Sequence, residues 1–188
     1  MKKISILPLV FALLISNTLV FGQKSDTTAE KKKLLPYYIE TCTDKMTDKS
    51  YAFGSKHLLC SDDGKKGFIV RVSWSNKDGE INYNGITVKS SGIGTCVENS
   101  TLIILFEDDT KVQISAWNKF NCEGNSYMDW QGKSFDKIFA KKAKAIRFQN
   151  GRSMDSFTYS LPEKDKSFFL EAGKALSEKR FVIASCND

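Results

Sequence analysis

Chemistry needs side chains that attack, ligate, move protons or stack, and few such residues converge in this 188-residue chain. His57 is its one histidine, so any triad, zinc cluster or proton shuttle built on imidazole must use it. Cys60 follows three positions later, a spacing that sends the two side chains to opposite faces of an extended strand and speaks against a Cys-His nucleophile pair. The five cysteines, at 42, 60, 96, 122 and 186, include no C-x-x-C pair, so the usual spacing of zinc ligands is missing. Gly64-Lys65-Lys66-Gly67 lacks the spacing of a phosphate loop. Asp62-Asp63 and Asp108-Asp109 read as turn tips without the ordered ligands of a calcium loop. The expectation is therefore no metal, no cofactor and no catalytic residue.

One segment offers recognition chemistry instead. Trp117, Phe120, Tyr127 and Trp130 are interleaved with Asn118, Asn121, Asn125 and Asp129. Aromatic faces beside amide hydrogen bonders can form a surface for a protein or glycan partner. The competing expectation, and the favoured one, is a loop tied down by Cys122 with its rings tucked under a sheet edge, because large aromatics are mostly substantially buried.

The compartment follows from the first residues. Lys2 and Lys3, an apolar run centred on Ile6 to Ile15, and small residues before Gln23 have the form of a secretory signal over residues 1–22. The run is too short to cross ~30 Å of hydrocarbon comfortably, so a cleaved signal and no stable membrane span are expected. The product would be periplasmic or extracellular. Cleavage removes two lysines from a formal charge of +6, leaving a mildly basic chain. The clusters Lys31-Lys32-Lys33, Lys65-Lys66 and Lys141-Lys142 with Lys144 are separate and form no continuous basic stripe with stacking aromatics, so nucleic acid is not an expected partner. Residues 23–33 read as a flexible polar leader, and residues 34–188 as a single β-rich domain.

Within that domain, short apolar runs alternate with turn clusters. Ser50 to Leu59 reads as one strand. In Gly67 to Trp74, Phe68, Val70, Val72 and Trp74 share a face at period two. The returning strand, Glu80 to Val88, is interrupted at Asn84-Gly85. Leu102 to Phe106 is apolar on both faces, which suits a strand inside a sheet, and its partner points Val112, Ile114 and Ala116 one way. A hairpin turning within Glu107 to Thr110, extended down its ladder, sets Cys96 opposite Cys122. Opposed Cα atoms there lie ~4.5 to 5.5 Å apart, within disulfide reach. Ser134 is placed to cap a helix running through Ala145, with a strand "AIRF" after it. Ser160 and Glu163 form an S-x-x-E capping box opening a helix with the stripe Phe168, Phe169, Ala172, Ala175 and Leu176. A last strand runs through Arg180 to Ser185. The fold expected is mainly β: an antiparallel sandwich-like domain with one or two helices packed in the C-terminal half.

The segment Cys42 to Tyr51 contains Asp44, Met46, Thr47 and Asp48 in a D-x-M-T-D arrangement. It resembles the box that opens a loose group of exported bacterial β-sandwich domains, among them accessory periplasmic proteins of type VI secretion and uncharacterised secreted proteins. Val72 and Ser73 stand where that pattern places a cysteine. The resemblance implies a sandwich in the cell envelope and no catalytic residues. From the residues themselves, Thr43 to Asp48 makes a polar turn, and Met46 is placed to plug the end of the core. Three functional expectations result. The first is a non-enzymatic binding module. The second is a hydrolase using His57 or carboxylates assembled by the fold, and the third an envelope assembly protein linked through a thiol such as Cys186.

Overall fold

A computed structural model of the chain describes residues 37–77, 80–129 and 134–186. Residues 1–36, over which an export signal and a leader are expected, lie outside the described residues, as do Trp130, Asp78 and Gly79.

Period-two apolar patterning is strongest in Gly67–Lys77 (β4), and the protein is built around it. Phe68, Val70, Val72 and Trp74 are all buried, so one face of this strand is core from Phe68 to Trp74. Glu80–Ser91 (β5) returns antiparallel beside it in a single strand, with a bulge between Ser73 and Trp74 that absorbs Asn84. The interruption expected at Asn84-Gly85 is thus a bulge within a continuous ladder, an extra residue accommodated by extra twist.

On the other side of β4 the chain places two short strands end to end. Ser50–Gly54 (β2) pairs along Ser73 to Ser75, and Leu58–Ser61 (β3) along Gly67 to Val70. The single strand expected from Ser50 to Leu59 is broken between them, and His57 sits in the break. Ile39–Thr43 (β1) extends the sheet beyond β2, Phe181–Ile183 (β11) joins β1 in parallel, and Asn125–Asp129 (β8) closes the far edge against β5. The order is β11-β1-β2-β4-β5-β8, with β3 on β4.

A second sheet has the order Ser156–Ser160 (β10), Ala143–Gln149 (β9), Thr101–Phe106 (β6) and Lys111–Ser115 (β7). β6 is interior, as its apolar composition requires, with Leu102, Ile104 and Phe106 turned to the core and Ile103 and Leu105 half-covered outside. The two sheets meet through rings: Phe68 lies 5.8 Å from Phe148 and 6.2 Å from Phe157, centroid to centroid. This is a mainly β, sandwich-like fold.

The helices are shorter than their sequence patterns suggest. Ser134–Phe139 (α1) stops before Lys141, Lys142 and Lys144, because Ala143 to Gln149 is recruited as a strand between β6 and β10. Strand pairing on both sides outweighs a helix propensity difference of tenths of a kcal/mol per residue. The capping box is not used. Ser160 ends β10, Glu163 opens a 3-10 turn, and Phe168–Ser177 (α2) starts five residues beyond it. Glu163 spends its carboxylate on Lys166, 2.7 Å away. The expected apolar stripe survives: Phe168, Phe169, Ala172 and Ala175 are buried, with Phe169 edge-on to Phe139 of α1.

Met46 is also placed differently from expectation. It is 92% exposed at the β1–β2 hairpin tip, where Asp44 receives the Met46 N–H at 2.8 Å and the Thr47 hydroxyl at 2.6 Å. This turn closes by its own side-chain hydrogen bonds and has no need of a hydrophobic plug.

Candidate functional site

The aromatic- and asparagine-rich segment singled out in the sequence begins where β7 ends. Ala116 donates its N–H to the Ser100 carbonyl, and Trp117 to that of Tyr127 on β8, so the chain passes from the small sheet to the edge of the large one. Below this crossing, Val97 and Asn121 exchange backbone hydrogen bonds of 2.8 and 3.0 Å. One step further, Cys96 and Cys122 lie at disulfide-bonding distance with their Cα atoms 4.0 Å apart. Between Thr101–Ser115 and Val97–Asn121 the pairing shifts by two residues, so the cysteines meet beyond an irregularity in the ladder, and Gly92 and Gly94, with positive φ values of 67° and 77°, turn the chain before Cys96. Gly94 could not carry a side chain even in that conformation, because an added Cβ would collide with Asn150 and Ser153.

Asparagine amides fix the rest. Asn118 accepts the Tyr127 N–H at 2.7 Å and donates to the Asn125 carbonyl at 3.0 Å. Asn121 accepts from the Glu123 and Asn125 N–H groups and donates back to the Asn125 carbonyl. Asn150, fully buried on the loop after β9, donates to the carbonyls of Ile93 and Cys96 at 3.0 and 2.8 Å. The amides of Asn118 and Asn121 are therefore consumed in holding the loop and are not the recognition groups that the sequence suggested. Asn150 escaped sequence reasoning because a polar residue before a glycine reads as an ordinary turn.

What the scaffold presents outward is aromatic. Trp117 is 68% exposed, Phe120 48% and Tyr127 41%, which corrects the expectation that these rings are tucked under the sheet edge. The backbone hydrogen bonds of the crossing turn residue 117 outward, and Tyr127 stands on the outer face of β8, opposite in alternation to buried Ser126 and Met128. The Trp117 and Tyr127 rings lie 5.7 Å apart and tilted by 30°. Phe120 is held separately under the Arg152 guanidinium, 4.7 Å from its centroid. Trp130 lies outside the described residues.

The remaining chemistry-bearing residues do not assemble. His57 is exposed in the link between β2 and β3 and lines none of the described cavities. Partial desolvation and the Arg71 charge hold its imidazole below the usual histidine range, with Glu40 opposing. Cys60 is fully buried, and burial, aided by Asp165, pushes its thiol up to about 12; such a thiol is a poor nucleophile at neutral pH. Cys186 lies at disulfide-bonding distance from Cys42, with Cα atoms 5.2 Å apart. The odd sulfur is Cys60.

The acidic hairpin tip is a clamp. Asp108 meets Lys141 at 2.5 Å, Asp109 meets Lys144, and Glu107 meets Lys166 at 3.1 Å. Asp63 accepts the N–H groups of Lys65 and Lys66 within its own turn. Among the described residues, no cluster of three or more His, Cys, Asp or Glu side chains could hold a metal ion, and no helix is long and apolar enough to cross a membrane. Comparison with family models, curated proteins and solved structures finds no match to this chain, so the functional reading rests on the site itself.

Proposed function

We propose that this protein is an exported, non-enzymatic binding module of the bacterial envelope or its exterior that engages a protein or glycan partner through Trp117 and Tyr127. The observation behind this reading is the exposed Trp117–Tyr127 pair on a loop fixed by the Cys96–Cys122 pair and asparagine hydrogen bonds. Tryptophan and tyrosine, with arginine, dominate the energetic centres of binding surfaces. A loop already fixed in shape loses little conformational freedom on association. Two cysteine pairs at bonding distance suit an oxidising compartment, and the export signal read from residues 1–22 leads to one. The D-x-M-T-D box is compatible with the same address.

The test uses the mature chain from Gln23 onward, immobilised and probed with a panel of envelope glycans and with purified envelope proteins. Binding that falls by on the order of 10- to 100-fold in Trp117→Ala, with an unchanged thermal midpoint, supports the reading. Equal binding by wild type and variant would show that the aromatic pair is not the contact surface.

A further inference from the structure

A second site lies on the outer face of the large sheet, centred on Arg71, two strands from Tyr127 in the row Arg71–Thr87–Tyr127. Here β1, β2, β4 and the segment after β11 enclose a cavity of about 450 Å³, within the ~300 to 1,000 Å³ range of small-molecule sites. Arg71 projects from β4 into its lining, and Tyr51 and Phe53 come from β2. Ala184 to Cys186 form the remaining wall, fixed by the Cys42–Cys186 pair.

The state of Arg71 is unusual. It is half-buried, with its guanidinium 4.2 Å from the Phe53 centroid, and Phe53 stacks nearly parallel on Tyr51 at 6.0 Å. Its Nε–H is buried without a hydrogen-bond partner. Among the described residues no carboxylate lies within ion-pair distance of it. A cation withdrawn from water is costly unless paired, and the cost shows as a guanidinium held below its ordinary pKa by desolvation, which the more distant Glu40 and Tyr37 only oppose. Other arginines show the usual arrangement: Arg180 pairs with Glu178 and Glu171, and Arg147 donates to Thr158. Arg71 lines the cavity beside the Tyr51 and Phe53 rings, with its guanidinium lying over Phe53.

We infer that this cavity binds a small monocarboxylate with an aromatic or apolar body, its carboxylate on the Arg71 guanidinium and its body against Tyr51. The fork of donors on arginine matches a carboxylate in two parallel hydrogen bonds. Charge selects against a phosphate. Glu40 and Asp44 also line the cavity, and with two carboxylates against one guanidinium a group of charge roughly −1.5 to −2 meets about 1.5 to 2 times the net repulsion that a monoanion does.

The experiment titrates the mature, oxidised chain with phenylacetate, its neutral isostere phenylacetamide, and inorganic phosphate, followed by amide chemical shifts. Phenylacetate should bind at least about tenfold more tightly than phenylacetamide, the scale of one charge-assisted pair, with shifts centred on Tyr51, Phe53 and Ala184. Arg71→Met should abolish that preference while retaining the fold and both cysteine pairs, and Arg71→Lys should restore part of it. A tripeptide ending in phenylalanine, with a free or amidated terminus, distinguishes the ligand's source. Binding of the free form assigns the site to chain ends, and binding of phenylacetate alone assigns it to free small acids. Equal affinity for phenylacetate and its amide, no binding of either, tighter binding of phosphate, or an Arg71→Met variant that binds as wild type would each overturn the inference.

Discussion

Trp117 shows how far single residues could be read. Its type announced recognition chemistry, yet its exposure depended on a backbone hydrogen bond to Tyr127 across ten positions of sequence, which no local pattern encodes. Asn150 is the converse: unremarkable in sequence, buried in the fold, and holding two carbonyls of the loop that leads to Cys96. Asn150→Ala should destabilise by about 2 to 3 kcal/mol, because it strands buried acceptors, measurable as a lower urea midpoint at unchanged slope. Asp108 gives a pH prediction. The hydrogen bond from Lys141, then that from Thr110, lowers its carboxyl from 3.8 to about 2. Since the folded pKa is depressed, its stabilising contribution is complete above 3.8 and is lost as pH falls through about 2. NMR titration should place its midpoint near 2, and Asp108→Asn should make the acid limb of stability less steep.

At the scale of elements, strands were more legible than helices. Alternation in Phe68 to Trp74 and in Val112 to Ile114 fixes which face is buried, and the turn residues at 107–110 fix the β6–β7 register. Helix length was not local: Lys141 to Gln149 has good helix formers, but β6 and β10 need a strand between them. The capping box at Ser160 failed similarly, since Ser160 belongs to the β10 ladder opposite Ala145. The base of the β6–β7 hairpin supplies the corresponding prediction. Breaking the Cys96–Cys122 pair by the double serine variant should cost roughly 3 to 4 kcal/mol for a loop of this length. Because Val97–Asn121 pairing and the Asn118 contacts would loosen with it, the amide protons of Trp117 and Tyr127 should exchange faster with solvent than those of β4. Unchanged exchange at Trp117 would mean that the asparagine network alone fixes the loop.

At the scale of the whole molecule, the two cysteine pairs tie distant parts of the chain together. Cys42–Cys186 fastens a three-residue terminal strand, β11, to β1 across a separation of 144 residues, worth about 5 kcal/mol on the chain-entropy model. Added to the hairpin pair, this is about 8 to 9 kcal/mol, comparable to the entire ~5 to 15 kcal/mol stability of an ordinary domain. The core rings Phe68 and Phe148 supply cohesion that is independent of redox state, so the reduced chain should retain sheet structure near the β4–β5 and β6–β9 ladders but lose the β11 edge first. Wild-type protein should therefore present no thiol to a labelling reagent while native and oxidised, and one thiol, Cys60, after denaturation. With reductant it should expose Cys42 and Cys186 before Cys60, because the former pair is half-exposed at the cavity wall and Cys60 is fully buried. Mass spectrometry of labelled peptides against time in reductant reads this order directly. Early labelling of Cys60 would mean that the core opens as a unit, with stability spread evenly and no weak edge at β11.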